Sequence, residues 1–164
     1  ARGREEFGAR ALGNRSIIAN PSNYDAVQKI NESIKNRDFW MPFALTILKN
    51  EHKKFIKNKK NFRCDFMTMA FDTVKDNFSK IKAGCHPYDN TVRPQILEKE
   101  FNPMYHSIIK EFFNLTKIPA LLNTSLNLHG YPVASTLKDV IFTFKNSDLK
   151  FLYINDNLLI EKKY

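Results

Sequence analysis

Four of the seven arginines fall within the first fifteen residues, at Arg2, Arg4, Arg10 and Arg15, while nineteen lysines are spread along the rest of the chain. The stretch Gly3 to Ser16, GREEFGARALGNRS, also holds three of the five glycines. Glycine lets a backbone come close to a ligand, and a guanidinium grips a phosphate or carboxylate with two parallel hydrogen bonds. The pairing suits a phosphate-binding loop, although neither GxxxxGK[ST] nor GxGxxG spacing is present. An Arg–Glu surface network around Glu5 and Glu6 accounts for the same residues, and by themselves they leave both readings open.

Three further segments carry groups that could do chemistry. Lys35-Asn36-Arg37 stands at the expected end of a helix, just before Phe39-Trp40, where the helix dipole accounts for cations without any ligand. His86-Pro87-Tyr88-Asp89-Asn90-Thr91-Val92-Arg93 is rich in turn residues and runs into a strand with an isolated arginine. Leu121 to Gly130, LLNTSLNLHG, is a buried strand that delivers Asn123, Thr124 and Ser125 at its carboxyl end, a common place for ligands in α/β sheets. The four histidines, His52, His86, His106 and His129, are scattered without HxxxH or HExxH spacing, so no metal cage is expected. Ser125 and His129 are near in sequence, which does not make a triad.

The elements that must hold these groups follow from periodicity. Ser22-Asn23-Tyr24-Asp25 has a capping-box pattern, and Ala26, Val27, Ile30 and Ile34 follow at helical spacing, predicting a helix to about Lys35. Phe43 to Leu48 and Phe66 to Phe71 have strand length with apolar residues on both faces, as central strands do. Asn102-Pro103 supplies an N-cap and a first-turn proline for a helix bearing Tyr105, Ile108, Ile109, Phe112 and Phe113. Pro119 to Leu122 reads as a buried strand and Thr136 to Asp139 as the cap of a helix reaching about Lys145. Leu149 to Ile154 and Leu158 to Ile160 form a hairpin across Asn155-Asp156-Asn157. The class is therefore α/β or α+β with a mixed sheet and flanking helices.

Composition sets the outer limits. The chain has 164 residues, 43% hydrophobic with 14 Phe, which suits one packed domain and excludes a disordered or fibrous chain. No run approaches the roughly 18 apolar residues of a membrane span, and a soluble, cytoplasmic domain with no membrane partner is expected. Cys64 and Cys85 form no CxxC and are expected as reduced thiols. A net charge of +9 favours anionic partners. Six lysines between Lys49 and Lys60 could serve nucleic acid, yet few aromatics accompany them, and a solvated helix and loop is the favoured reading.

In this order, GREEFGARALGNRSI, INESIKNRDFWMPFA, CDFMTMAF, HPYDNTVR, NPMYHSIIKEFFNLTKIPALLNTSLN with GYPVAST, and DLKFLYIND resemble the C-terminal domain of the NodU-type O-carbamoyltransferases nearly end to end. The resemblance implies a YrdC-like twisted mixed sheet spanning 1–164. It also implies a separate N-terminal domain, related to threonylcarbamoyladenosine synthases, as the partner of this one. In such proteins the YrdC-like half makes carbamoyl adenylate from carbamoyl phosphate and ATP with Mg²⁺. The other half passes the carbamoyl group to the hydroxyl of a small-molecule or sugar acceptor.

Carried over by motif, Arg10, Lys35 and Arg93 are the implied catalytic cations. Asn123 and Ser125 complete the implied nucleotide and carbamoyl pocket, and His86 is a further candidate without an assigned role. Arg4 and Arg15 then become structural partners of Glu5, Glu6 or nearby backbone. Ala9, Asn90, Lys117 and Tyr131 stand where the family pattern has proline, glycine, glycine and glutamate. Because the chain opens without Met inside a functional segment, we expect it to be part of a longer protein; and because the resemblance implies a nucleotide pocket closed in part by the N-terminal domain, we expect it to be weakly active or inactive alone. Two other readings remain: a basic RNA-binding module of YrdC-like fold, and a non-catalytic domain that stabilises its partner.

Overall fold

The computed structural model describes residues 1–36, 38 and 41–163; Arg37, Phe39, Trp40 and Tyr164 lie outside them, and with them the reading of Arg37 as a cation at a helix end. Strand β1 (Ser16–Ala19) is followed by helix α1 (Tyr24–Ile30), strand β2 (Ala44–Leu48), the short helix α2 (Phe78–Ile81) and strand β3 (Pro94–Leu97). Helix α3 (Pro103–Thr116), strand β4 (Ala120–Ser125), helix α4 (Leu137–Lys145) and the hairpin β5 (Phe151–Ile154) and β6 (Leu158–Glu161) complete the chain. The class is mixed α/β, with a four-stranded sheet in the order β1-β4-β2-β3 and the separate β5-β6 hairpin.

In the larger sheet β4 runs antiparallel to both β1 and β2, while β2 and β3 are parallel. The carboxyl end of β4 therefore lies beside the amino ends of β2 and β3, with Asn123 opposite Ala44 and Leu45 opposite Pro94. Strand alternation sends Leu45, Ile47 and Leu122 into one core, which Ile30 of α1, Val140 and Phe144 of α4 and Leu152 of β5 close. The opposite face carries Leu48, Leu97 and Leu121 under Tyr105 and Ile109 of α3. Full burial of a side chain such as Ile109 contributes about 2 kcal/mol.

Local chemistry explains the helix ends. Asn102 caps α3 by accepting the Tyr105 N–H, with Pro103 in the first turn, and Thr136 and Asp139 of α4 form a reciprocal capping box. At α1 the cap is Asn23, whose side chain accepts the Asp25 N–H; Ser22 instead bonds Asn20. The predicted box there is thus a one-residue Asn cap. Helical geometry reaches Lys35 as predicted, but the last turn, Asn31–Lys35, widens to a π-turn that ends at Asn36 with φ 44°. Lys35, the last residue of that turn, is buried.

One expected strand is absent and one strand was not foreseen. Phe66 to Phe71 is irregular rather than a central strand: Met67 has φ 55°, and only isolated bridges form at Phe71. The outer edge of β3 is met just before this segment, where the Cys64 carbonyl accepts the Ile96 N–H. Phe66 faces outward and meets the edge of the Phe101 ring at 6.0 Å. Met67 and Phe71 are the buried residues of the run and Phe66 and Ala70 are exposed, a pattern set by the irregular backbone, which periodicity does not register. Strand β1, in turn, was hidden in what reads as the tail of the glycine and arginine loop.

Candidate functional site

The loop from Gly3 to Ser16 is shaped by one carboxylate and one guanidinium that never meet. Glu6 Oε1 accepts the N–H groups of Leu12 and Asn14, each at 2.7 Å, and both Glu6 oxygens are within 3.3 Å of the Arg15 N–H. Arg15 is buried and donates to five main-chain carbonyls, those of Arg2, Gly3, Asn14, Ala134 and Ser135, at 2.6 to 3.2 Å. Among the described residues no salt bridge joins an arginine to Glu5 or Glu6, so the Arg–Glu network is replaced by bonds to backbone. Gly13 is required here: its φ is 116°, and a Cβ would stand 2.4 Å from the Tyr105 ring. The result is a tethered loop that buries Ala11 and Leu12 and presents Arg10 to solvent.

Arg10 meets Arg93, Asn123 and Ser125 around a pocket of about 60 Å³, whose remaining wall includes Ala44 and Met67. Arg93 is delivered by the turn before β3, where Val92 pairs with Phe71 and Cys85. Burial, and after it the neighbouring Arg10 guanidinium, lower the Arg93 pKa. Among the described residues neither arginine has a carboxylate partner, so two like charges face one pocket uncompensated. Both side chains are exposed, so solvent screens their repulsion, and an anion between the guanidinium groups would lower it further.

The pocket floor is a buried polar layer. Asn123 Nδ2 donates to Ala11 O at 3.0 Å and to Thr46 Oγ1 at 3.1 Å, and Thr46 in turn donates to Gln95 Oε1 at 2.9 Å. Asn123 is 2% exposed, yet its Oδ1 has no hydrogen-bond partner. A buried acceptor left open costs about 1 to 3 kcal/mol, which a ligand N–H or O–H would recover.

Lys35 and His86 stand beside this pocket in different ways. The Lys35 ammonium donates to Ser125 O (2.7 Å) and Oγ (3.2 Å) and to Asn127 O (3.1 Å) and Oδ1 (2.6 Å). It brings its charge to Ser125, not to the two arginines. His129 secures the same corner, its ring Nδ1 lying 2.8 Å from Lys35 O and its N–H bonding Ile34 O. His86 lines an adjoining hollow of about 210 Å³ that shares Ala44 and Arg93 with the first. Its Nδ1 lies 3.4 Å from Asp89 Oδ1.

The departures from the family pattern have local explanations. Asn90 and Lys117 both adopt positive φ, 58° and 61°, where glycine would be unstrained. Tyr131 lies on the surface against Phe142, with ring centroids 5.6 Å apart, and Ala9 lines the arginine pocket. Cys64 and Cys85 are buried and unpaired, and burial pushes the Cys85 thiol up to about 12. Among the described residues no group of three His, Cys, Asp or Glu side chains could hold a metal, and no helix is long and apolar enough to cross a membrane.

Reasoning from sequence missed Glu6 as the tether of the loop, and Thr46 and Gln95 as the support of Asn123. Glu6 had a signal, a carboxylate six residues before buried Leu12, but one indistinguishable from an ion-pair partner. Thr46 and Gln95 meet only through the register of β2 and β3.

The chain has recognisable relatives. It is 35% identical over 98% of its length to an uncharacterised protein of Methanocaldococcus jannaschii, covering 26% of that protein. It is 34% identical over 96% of its length to nodulation protein NolO of Bradyrhizobium diazoefficiens, covering 29% of it. To the 3'-hydroxymethylcephem-O-carbamoyltransferase of Amycolatopsis lactamdurans it is 28% identical over 94% of its length, covering 28% of that enzyme. The chain thus spans between a quarter and a third of the length of these relatives. Residues 1–162 match the family described as Carbamoyltransferase C-terminus, and with the end-to-end agreement of these relatives the chain belongs to that carbamoyltransferase family.

Proposed function

We propose that this domain binds ATP and carbamoyl phosphate and forms carbamoyl adenylate, which an N-terminal domain of the same protein uses to carbamoylate an acceptor hydroxyl. The carrying observation is the facing pair Arg10 and Arg93, without carboxylate partners, over the open Oδ1 of buried Asn123. A pocket of about 60 Å³ has the volume of roughly two liquid waters, which suits a phosphoryl or carbamoyl group and leaves the nucleoside to the adjoining surface.

In this reading water cleaves carbamoyl phosphate to carbamate and phosphate. A carbamate oxygen then attacks the α-phosphorus of ATP, and the bond to the β-phosphate breaks to release pyrophosphate. Arg10 and Arg93 stabilise the charge that gathers on the α-phosphate oxygens. Asn123 Oδ1 accepts from the carbamoyl NH₂, and Lys35 supports Ser125 while adding its charge to that wall. The acceptor oxygen, on a small molecule or sugar, finally attacks the carbamoyl carbon and AMP leaves. Mg²⁺ would enter with the nucleotide phosphates, since the described residues offer it no carboxylate cluster.

The test is carbamoyl-phosphate-dependent exchange of pyrophosphate into ATP by the full-length protein. Exchange that is lost in Arg10→Ala and in Arg93→Ala, with folding unchanged, supports the reading. A folded protein that exchanges no pyrophosphate overturns it and leaves a domain that only stabilises its partner.

A further inference from the structure

A cavity of about 610 Å³ lies away from the arginine pocket, at the carboxyl ends of the parallel strands β2 and β3. Ligands of α/β sheets collect at such ends, and the volume is in the range of small-molecule sites. The lysine-rich run beginning at Lys49, which reads from sequence as mere solvated surface, supplies much of its wall.

Three features describe an occupant. Cations line the cavity: Lys49, paired with Glu98 at 2.5 Å; Arg63, whose Nε engages Asp65; and Lys53, which has no acidic partner among the described residues. His52 also lines it and is buried, 6% exposed. Its Nδ1 lies against the Lys49 carbonyl, which can only accept, so Nδ1 carries the hydrogen. The other ring nitrogen, Nε2, is then an acceptor in the neutral imidazole, and it is buried without a partner. Phe62 adds a half-open aromatic surface at the same cavity.

We infer that this cavity is a second binding site, distinct from the arginine pocket, for a small hydroxylated phosphomonoester. Its phosphate lies against Lys53 and the free end of Arg63, and a ligand hydroxyl donates to His52 Nε2. Two sources share this chemistry: a sugar phosphate, and a nucleoside monophosphate whose base would stack on Phe62.

Calorimetric titration of the full-length protein tests the inference, using ribose 5-phosphate, AMP and inorganic phosphate as probes. A background of Arg10→Ala with Arg93→Ala silences the arginine pocket. In that background we expect one saturable site for ribose 5-phosphate, with inorganic phosphate much weaker. Lys53→Glu, an exposed change that thermal melting would show to leave the fold intact, should weaken the site by about tenfold or more. Tighter AMP than ribose 5-phosphate marks the nucleotide as the natural class, and equal affinity marks the sugar phosphate; both sustain the site. No saturable binding, binding that vanishes with the two arginines, binding indifferent to Lys53→Glu, or inorganic phosphate equal to ribose 5-phosphate each overturns it. None of these outcomes depends on pyrophosphate exchange, so the two proposals fail separately.

Discussion

The two ends of the β2-β3 pair carry similar charge and use it differently. At the amino ends Arg10 and Arg93 line one pocket that holds no acidic residue among those described. At the carboxyl ends Lys49 and Arg63 are largely answered by Glu98 and Asp65, while Lys53 has no acidic partner among the described residues. A count of cations does not find a site. What distinguishes the first end is that, among the described residues, its two arginines line one pocket without a carboxylate partner, an arrangement that favours an anionic ligand.

The sharpest way to break the comparison is within the opening loop itself, because Arg10 and Arg15 lie five residues apart with opposite roles. Arg15→Met should strip the carbonyls of Arg2, Gly3, Ala134 and Ser135 of the Arg15 guanidinium and cost about 3 kcal/mol or more, read as a lowered denaturant midpoint. Arg10→Ala should leave that midpoint within about 0.5 kcal/mol while weakening ATP by about tenfold or more. Equal losses of stability in the two variants would erase the distinction between a structural and a ligand-facing arginine.

Lys35→Met falls between these extremes. It strips Ser125 and Asn127 of a buried donor, so we expect a stability loss of about 1 to 3 kcal/mol together with weaker carbamoyl phosphate. A loss of binding without any loss of stability would mean that Lys35 serves the ligand alone. In the other direction, Lys117→Gly should raise stability by about 0.5 to 1 kcal/mol, since glycine adopts the φ of 61° without strain.

The smallest effect belongs to the lysine end. The Lys49 contact holds the Glu98 carboxyl below its ordinary 4.5, so its contribution is complete above that pH and is lost as the pH falls through the depressed value. Glu98→Gln should flatten acid unfolding slightly over that window, and less so in high salt because the pair is exposed. A Glu98→Gln profile superimposed on that of the parent would show the pair to be energetically silent.

Legibility followed the range of the interaction. The helix from Pro103, the strand around Leu121 and the hairpin from Phe151 are written in local periodicity and caps, and sequence locates them well. Phe66 to Phe71 misled because a positive φ at Met67 breaks the strand that its apolar run suggests, and β1 stayed hidden because Ile17 finds its partner Thr124 more than a hundred residues away. The candidate site divides in the same way. Motif order selected Arg10, Arg93, Asn123 and Ser125, which one pocket unites, but it could not separate them from Lys35, whose ammonium points to the Ser125 corner.

By itself, the sequence determined the class of this protein, its family and the residue types of the arginine loop, because caps, strand runs and six ordered motifs are local properties. The tertiary structure alone decided which cations are available. Arg15 and Arg10 are the same residue in the same glycine-rich loop, yet one is enclosed by carbonyls from two distant segments and the other faces Arg93. That difference arises because β4 runs antiparallel to β2, bringing its polar end to the amino ends of the parallel pair, and no spacing along the chain records it.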